Sequence, residues 1–294
     1  MRASPINDLP RPLAVVCHDA GAANIILHAI GEQADGIRIW TEGPADGIAA
    51  ALGHPRNTNS LDAALDGAAM LLSGTGWASD LEHQARAGAR ARGIPSIAVL
   101  DHWVNYPQRF VRNGQEVLPD RWWVTDNFAL AEASRHFDPA RIDLVPNLYA
   151  RAQLAGVAPI TAETANRVLY VLEPARSDWG RHTQGEFQAL DYFAERLPGL
   201  RLPADIEITL RPHPSDPSGK YDEWIARHAN MALSLDQSGS ISQAIGRARW
   251  VAGCESFALA LALEAGRPVF CTLPPHAPQC RLPHDRIIHI KAME

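Results

Sequence analysis

Residues 250–271 read Trp250-Val-Ala-Gly253-Cys254-Glu255-Ser256-Phe257-Ala-Leu-Ala-Leu-Ala-Leu-Glu-Ala265-Gly266-Arg267-Pro268-Val269-Phe-Cys271, and this stretch holds one complete structural unit. Trp250–Gly253 is a short apolar run with strand character. Cys254–Ser256 is a small-residue loop, Phe257–Ala265 is apolar on every face and so reads as a buried helix, and Gly266 stops it. Pro268–Cys271 resumes as a strand. Strand, covered helix and second apolar strand form the repeating unit of a parallel sheet, whose strands lack polar alternation because helices cover both faces.

The same rhythm extends upstream. Val168–Leu172, Ile206–Leu210 and Met231–Leu235 read as strands, with helices at Gln184–Leu197, Ser218–Ala229 and Ser240–Arg247 between and after them; Arg286–Ile290 reads as a last strand. The N-terminal half repeats the pattern. Leu13–Cys17, Ile37–Trp40, Ala68–Leu72, Ser96–Leu100, Arg121–Thr125 and Ile142–Val145 are strand candidates, and Ala22–Gly31, Ser79–Arg92 and Phe128–Phe137 are helix candidates. Ser79 and Asp80 are capping types before the second of these helices, and Gly93 ends it. The pattern fades over Ala150–Asn166, where the domain boundary is expected. The expected architecture is α/β, with two Rossmann-like parallel-sheet domains, 1–155 and 156–294, facing a cleft of the kind that ligands prefer.

Composition narrows the function classes. The chain has 294 residues, 46% of them hydrophobic, which with a small charge imbalance excludes intrinsic disorder. Its 27 Lys+Arg against 33 Asp+Glu give a net charge of −6, against a protein that coats nucleic acid. The four cysteines, Cys17, Cys254, Cys271 and Cys280, form no CxxC pair, so neither a disulfide scaffold nor a structural zinc site is expected. Met1–Arg11 lacks an apolar signal-peptide core and no apolar run approaches a membrane span, so the expected compartment is the cytoplasm.

Candidate chemistry collects at strand ends, where open α/β sheets bind their ligands. Arg211-Pro212-His213-Pro214-Ser215-Asp216 follows Ile206–Leu210; the prolines stiffen the turn, and Arg211, His213 and Ser215 offer donors to a phosphate. A proline-rich exit turn with a solvated His213 accounts for the same residues. Ser256 stands at a helix N-terminus, a natural anion site, and reads as a phosphate donor or as a plain N-cap. Glu255 would repel a phosphate but could accept hydrogen bonds from sugar or ribose hydroxyls. Glu173 and Arg176 follow the strand Val168–Leu172, on the same edge.

In order, the strand, Arg211-Pro-His213-Pro, helix, strand, Gly253-Cys-Glu-Ser256, apolar helix and Gly266-Arg-Pro-Val269 resemble the C-terminal donor-binding domain of GT-B-fold glycosyltransferases. The nearest likeness is to His-Pro-motif branches: bacterial sialyltransferase-like, polysialyltransferase and capsule enzymes, and CDP-glycerol glycerophosphotransferases. It covers roughly Val168 to Val269. It implies a donor domain at 156–294, an acceptor-side domain at 1–155, and contact of His213, assisted by Ser256, with the phosphates of a cytidine nucleotide. Glu255 stands where those families place Ser or Thr.

The N-terminal half supplies candidates for the reaction itself. His18-Asp19-Ala20-Gly21 ends the first strand and opens a helix, so His18 or Asp19 could act as general base, with Gly21 permitting close approach. Gly21 and Asn24 are expected on the acceptor side, while Asp19 and Asn24 also read as ordinary helix caps. Ser73-Gly74-Thr75-Gly76 matches a dinucleotide GxGxxG pattern only in its first two glycines, and reads as an acceptor- or phosphate-facing loop. Asp101-His102-Trp103-Val104-Asn105 follows another strand end; Asp101, Trp103 and Asn105 suit an acceptor sugar, and His102 reads either as catalytic or as a satisfied structural histidine. Gln108–Asp120, with Arg109 and Arg112, reads as an acceptor-side lid, and Trp122-Trp123 as strand core.

No Asp-x-Asp or HExxH pattern is present, so metal and cofactor are not expected, and Arg211, His213, helix dipoles and Arg176 or Arg181 must neutralise the phosphates. The expected function is an inverting, metal-independent glycosyltransferase of glycan biosynthesis. It would use a CMP, CDP or UDP sugar, a CMP-linked nonulosonic acid first among them, and a glycan or other hydroxyl acceptor. The alternatives are a nucleotide-sugar hydrolase or epimerase of the same superfamily, and a non-catalytic sugar- or nucleotide-binding protein. No nucleic-acid partner is expected. The resemblance admits peripheral contact with the inner face of the cytoplasmic membrane.

Overall fold

The computed structural model describes residues 4–31, 34–177, 179–180 and 182–293, so Arg181 lies outside the described residues. The chain divides into two compact units, Met1–Arg151 and Ala152–Glu294.

In the first unit the strands are β1 (Leu13–Cys17), β2 (Ile37–Thr41), β3 (Met70–Ser73), β4 (Ser96–Val99), β5 (Val111–Arg112), β6 (Gln115–Glu116), β7 (Arg121–Val124) and β8 (Ile142–Leu144). Six of them form a parallel sheet in the order β2-β1-β3-β4-β7-β8. β1 is buried along its whole length. On one side Leu13, Val15 and Cys17 pack in a core with Ile26, Leu27 and Ile30 of the helix Ala20–Ile30. On the other, Ala14 and Val16 meet Leu81, Ala85 and Ala89 of the helix Leu81–Ala91. Coverage on both faces is why β1 shows no polar alternation, and burying each large aliphatic side chain stabilises the unit by roughly 1.5–3 kcal/mol. The edge strand β2 alternates buried and half-buried positions instead.

Three features differ from the sequence expectation. Helices at Pro44–Ala51 and Leu61–Leu65 were not anticipated; Pro44 occupies the first turn, where its missing N–H costs nothing, and Ser60 caps the second through Ala63 N. The segment read as a lid is ordered by the β5–β6 hairpin, whose Asn113 and Gly114 take positive φ (51° and 76°) as a tight primed turn requires. The patternless Ala150–Asn166 carries the end of a helix, Leu148–Ala155, and a single helical turn at Ala162–Thr164.

The second unit contains β9 (Arg167–Val171), β10 (Glu207–Arg211), β11 (Ala232–Leu235), β12 (Trp250–Gly253), β13 (Val269–Cys271) and β14 (Ile288–His289), all parallel, in the order β11-β10-β9-β12-β13-β14. Gly253 brings β12 against β9 so closely that a Cβ would lie 2.8 Å from the Val171 carbonyl oxygen. Tyr170, Leu190, Phe193, Leu210, Trp224 and Phe270 build its core. In each sheet the strand order reverses once, between β1 and β3 and between β9 and β12. Such reversals splay the following loops apart and leave a crevice at the carboxyl ends of the strands.

Candidate functional site

In the first unit the reversal brings together the loops after β1 and β3. His18 Nδ1 lies 2.7 Å from Asp19 Oδ1, and the other oxygen of Asp19 accepts the backbone N–H of Trp77 at 2.7 Å. Asp19 therefore orients the imidazole while it ties the two loops together. Among the described residues nothing hydrogen-bonds to His18 Nε2, which packs over Gly43, where a Cβ would come within 2.6 Å of it. Glycine suits this position twice over, since Gly43 also takes φ +57°.

Beneath the pair lies Glu82, 2% exposed. Its carboxylate accepts the N–H of His18 at 3.0 Å and that of Gly76 at 2.5 Å. Burial pushes its pKa up, while those two N–H groups pull it down. The loop glycines are demanded by these contacts. A Cβ on Gly74 would sit 2.3 Å from Glu82 Oε1, and one on Gly76 would sit 2.2 Å from Asp19 Oδ2.

Asp101, at the end of β4, reaches the start of the Ala20–Ile30 helix, where a Cβ on Gly21 would meet its Oδ2 at 1.8 Å. Its other oxygen accepts from Arg109 Nη1 at 2.8 Å, and the same nitrogen contacts the carbonyl and hydroxyl oxygens of Thr75. Thr75 donates its hydroxyl to Val99 O, and the Ser73 hydroxyl accepts from Arg86; both residues are wholly buried and their polar atoms serve the protein. Asn24 donates back to Ala20 O in its own helix. His102 Nδ1 accepts the N–H of Trp103, whose indole donates to Asp126. Asn105 is exposed with φ +59°. Arg112 donates to Gly76 O at 2.6 Å, so Arg109 and Arg112 both anchor on the loop after β3. Trp77, 49% exposed, has their guanidinium carbons 5.8 and 5.5 Å from its ring centre.

In the second unit the loops after β9, β10 and β12 converge. Glu173, 4% exposed, accepts from Arg176 Nη2 at 2.7 Å and from the backbone N–H of Glu255 at 3.1 Å, across the reversal. The Glu255 carboxylate faces Arg281 from two sides and Arg176 at 3.4 Å. These arginines hold its pKa down against the burial that would raise it. Ser256 accepts the Ala258 N–H at 3.3 Å and caps the helix Phe257–Glu264. Arg211 is paired with Asp236 at the end of β11. His213 Nδ1 lies 2.7 Å from Ser215 Oγ and accepts the Ser215 N–H at 3.2 Å, leaving Nε2 to carry the proton of the neutral ring. Burial favours that neutral form and lowers the His213 pKa; Lys220 and Arg176 push the same way, while Asp216 and Glu173 oppose.

Reasoning from sequence passed over Glu82, Lys220, Glu186 and Arg281. Glu82 and Arg86 did leave a signal. They stand four apart on the helix Leu81–Ala91, on the face that carries Leu81, Ala85 and Ala89, and charged residues on an apolar stripe require partners. Arg86 donates to Gly74 O at 2.8 Å, and burial lowers its pKa to about 10. Arg281 left none, because its partner is 26 residues away. Among the described residues no cluster of three or more His, Cys, Asp or Glu side chains is placed to hold a metal ion, and no helix is long and apolar enough to cross a membrane.

No family model matches the chain, and no curated protein is similar to it in sequence. Solved structures are similar in fold. A UDP-GlcNAc 2-epimerase from Neisseria meningitidis bound to UDP-GlcNAc matches with TM-score 0.62 at 10% identity, over 88% of this chain and 82% of its own. The glycotransferase of kitacinnamycin matches with TM-score 0.56 at 17% identity, over 93% and 83%. The lipopolysaccharide outer core galactosyltransferase WaaB, in its apo form, matches with TM-score 0.52 at 11% identity, over 91% and 82%. With its two six-stranded parallel sheets, the chain has the GT-B fold that UDP-GlcNAc 2-epimerases and glycosyltransferases share.

Proposed function

We propose that this protein is a glycosyltransferase that uses a nucleotide-activated sugar, with the nucleotide held by the second unit and the acceptor proton taken by His18 of the first. The observation that carries the reading is the 2.7 Å contact between His18 Nδ1 and Asp19 Oδ1 at the carboxyl end of β1. An aspartate on Nδ1 fixes the tautomer with Nε2 unprotonated, which is what a general base toward a hydroxyl needs, and it stabilises the imidazolium formed on proton transfer. In the second unit, neutral His213 with its proton on Nε2, the Arg176 guanidinium and the Ser256-capped helix N-terminus can donate to phosphate oxygens. There they would stabilise the charge that develops on the leaving nucleotide. UDP, CMP and CDP sugars are the donors to test, and a glycan or other hydroxyl compound is the acceptor class. Thermal unfolding with each nucleotide is the first experiment, since a saturating cognate ligand stabilises by RT ln(1 + [L]/Kd), about 2.7 kcal/mol at a hundredfold excess over Kd. Unchanged unfolding with all three would refute the donor assignment.

A nucleotide-sugar hydrolase or epimerase is the second reading. It draws support from the likeness in fold to several UDP-GlcNAc 2-epimerases, the Neisseria meningitidis enzyme among them. His18 would then act on water or on a proton of the sugar itself. Product analysis separates the two: hydrolysis or epimerisation without acceptor, as fast as any transfer, replaces the first reading by the second.

A further inference from the structure

Behind the phosphate-facing loops of the second unit lies a buried cluster of charges to which the proposed reaction assigns no part. Lys220 Nζ sits 2.7 Å from Asp216 Oδ1 and 2.8 Å from Glu186 Oε1, and the three side chains are only 10%, 3% and 1% exposed. Each carboxylate spends its second oxygen on backbone. Asp216 Oδ2 accepts the N–H of His213 at 2.9 Å and the Tyr221 hydroxyl at 3.1 Å, while Glu186 Oε2 accepts the N–H of Arg176 at 2.6 Å. One ammonium therefore stands between the loop after β9, through Glu186, and the loop after β10, through Asp216. The rings of Phe187 and Tyr221 flank it, with centroids 5.8 and 5.3 Å from Nζ.

We infer that Lys220 is a positioning residue for the nucleotide site, and this rests on the donor reading given above: through Asp216 it fixes the backbone of His213 and through Glu186 that of Arg176, so the two phosphate donors are held at a set separation. The physical ground is the burial of both carboxylates. Without the ammonium between them, two buried negative charges repel, and either one takes up a proton or the loops part. In both cases the geometry at His213 and Arg176 changes.

The test uses the full chain and the variant Lys220→Met, with Arg267→Met as control. Arg267 is a buried cation of the same unit that, among the described residues, donates only to the carbonyls of Ile245 and Ala158, so its loss burdens stability without reaching the loops. The first readout is the 15N-histidine spectrum, assigned by His213→Gln. In the native protein His213 shows one tautomer protonated on Nε2; in Lys220→Met it shows mixed tautomers or a broadened signal, and in Arg267→Met it is unchanged. The second readout is the affinity for UDP, CMP and CDP, which falls at least about tenfold in Lys220→Met and not in the control. A native His213 spectrum in folded Lys220→Met overturns the inference. If the native protein binds none of the three nucleotides, the donor reading fails, and the His213 spectrum alone decides whether Lys220 positions that loop. Should Lys220→Met not fold, Lys220→Gln carries the same two readouts.

Discussion

Asp19→Asn probes the proposed chemistry most directly, because it keeps the size of the side chain and changes only which atoms donate. Asp19 accepts twice, from His18 Nδ1 and from Trp77 N, both at 2.7 Å. Asparagine has one carbonyl oxygen for these two donors. Turned toward Trp77, it presents its NH2 group to His18, so Nδ1 must become an acceptor and the ring proton moves to Nε2. The base is then protonated at the atom that should take the proton. General-base catalysis contributes about 10²–10⁴-fold, so turnover should drop by two to four decades, about 3–5 kcal/mol of barrier. The cost to stability is much smaller. The side chains of His18 and Asp19 are 16% and 25% exposed, and losing one charge-assisted hydrogen bond there should cost about 1 kcal/mol, a fall of about 2–4 °C in Tm. Two assays separate the effects: release of free nucleotide from a donor sugar in the presence of acceptor, and the 15N-histidine spectrum, which reads the tautomer without any substrate. A variant that retains more than a tenth of native turnover, or whose His18 keeps its proton on Nδ1, would refute the reasoning.

Further outcomes follow from the same geometry. Gly21→Ala forces the Asp101 carboxylate off its position, since Oδ2 stands 1.8 Å from the new Cβ, and should cost about 1–3 kcal/mol by thermal unfolding. Gly47→Ala, in the helix Pro44–Ala51 with nothing within 4 Å, should instead stabilise by about 0.4–1 kcal/mol. Glu82 has its pKa raised in the folded state, so its contribution to stability is full below the ordinary carboxylate pKa and is lost as pH rises through the folded value; Glu82→Gln should abolish that slope in urea titrations. His213 titrates the other way. Its folded pKa is depressed, so the unfolded chain binds the proton first and stability falls as pH drops through the ordinary histidine value, a slope that His213→Gln should reduce.

The parallel architecture was legible because it rests on local patterns. Leu13–Cys17 and Trp250–Gly253 are apolar on both faces and end at polar loops, and the structure places strands at those same residues. Pro44–Ala51 and Leu61–Leu65 were missed because they are short, alanine-rich and weakly patterned, and their stability comes from packing, of the first on the helix Ala20–Ile30 and β2 and of the second on β2 and the helix Leu81–Ala91, rather than from their own sequence. Residues at strand ends could be nominated for the same local reason, since where a strand stops is written in the chain. What each of those side chains touches was not. Ser73 and Thr75 look in sequence like ligand-binding hydroxyls, yet they meet Arg86, Arg109 and the Val99 carbonyl, partners 13 to 34 residues away.

By itself, then, the sequence determined the alternation of strands and helices, the apolar faces, and the loops on which polar groups stand, because these follow from the periodicity of neighbouring residues. Only the tertiary structure decided the order of the strands, with its reversals at β1/β3 and β9/β12. Only it, too, brought Glu82 under His18 and set Lys220 between Asp216 and Glu186. The physical reason is that a buried charge is stable only with a partner, and burial and partners are fixed by packing between segments far apart in the chain.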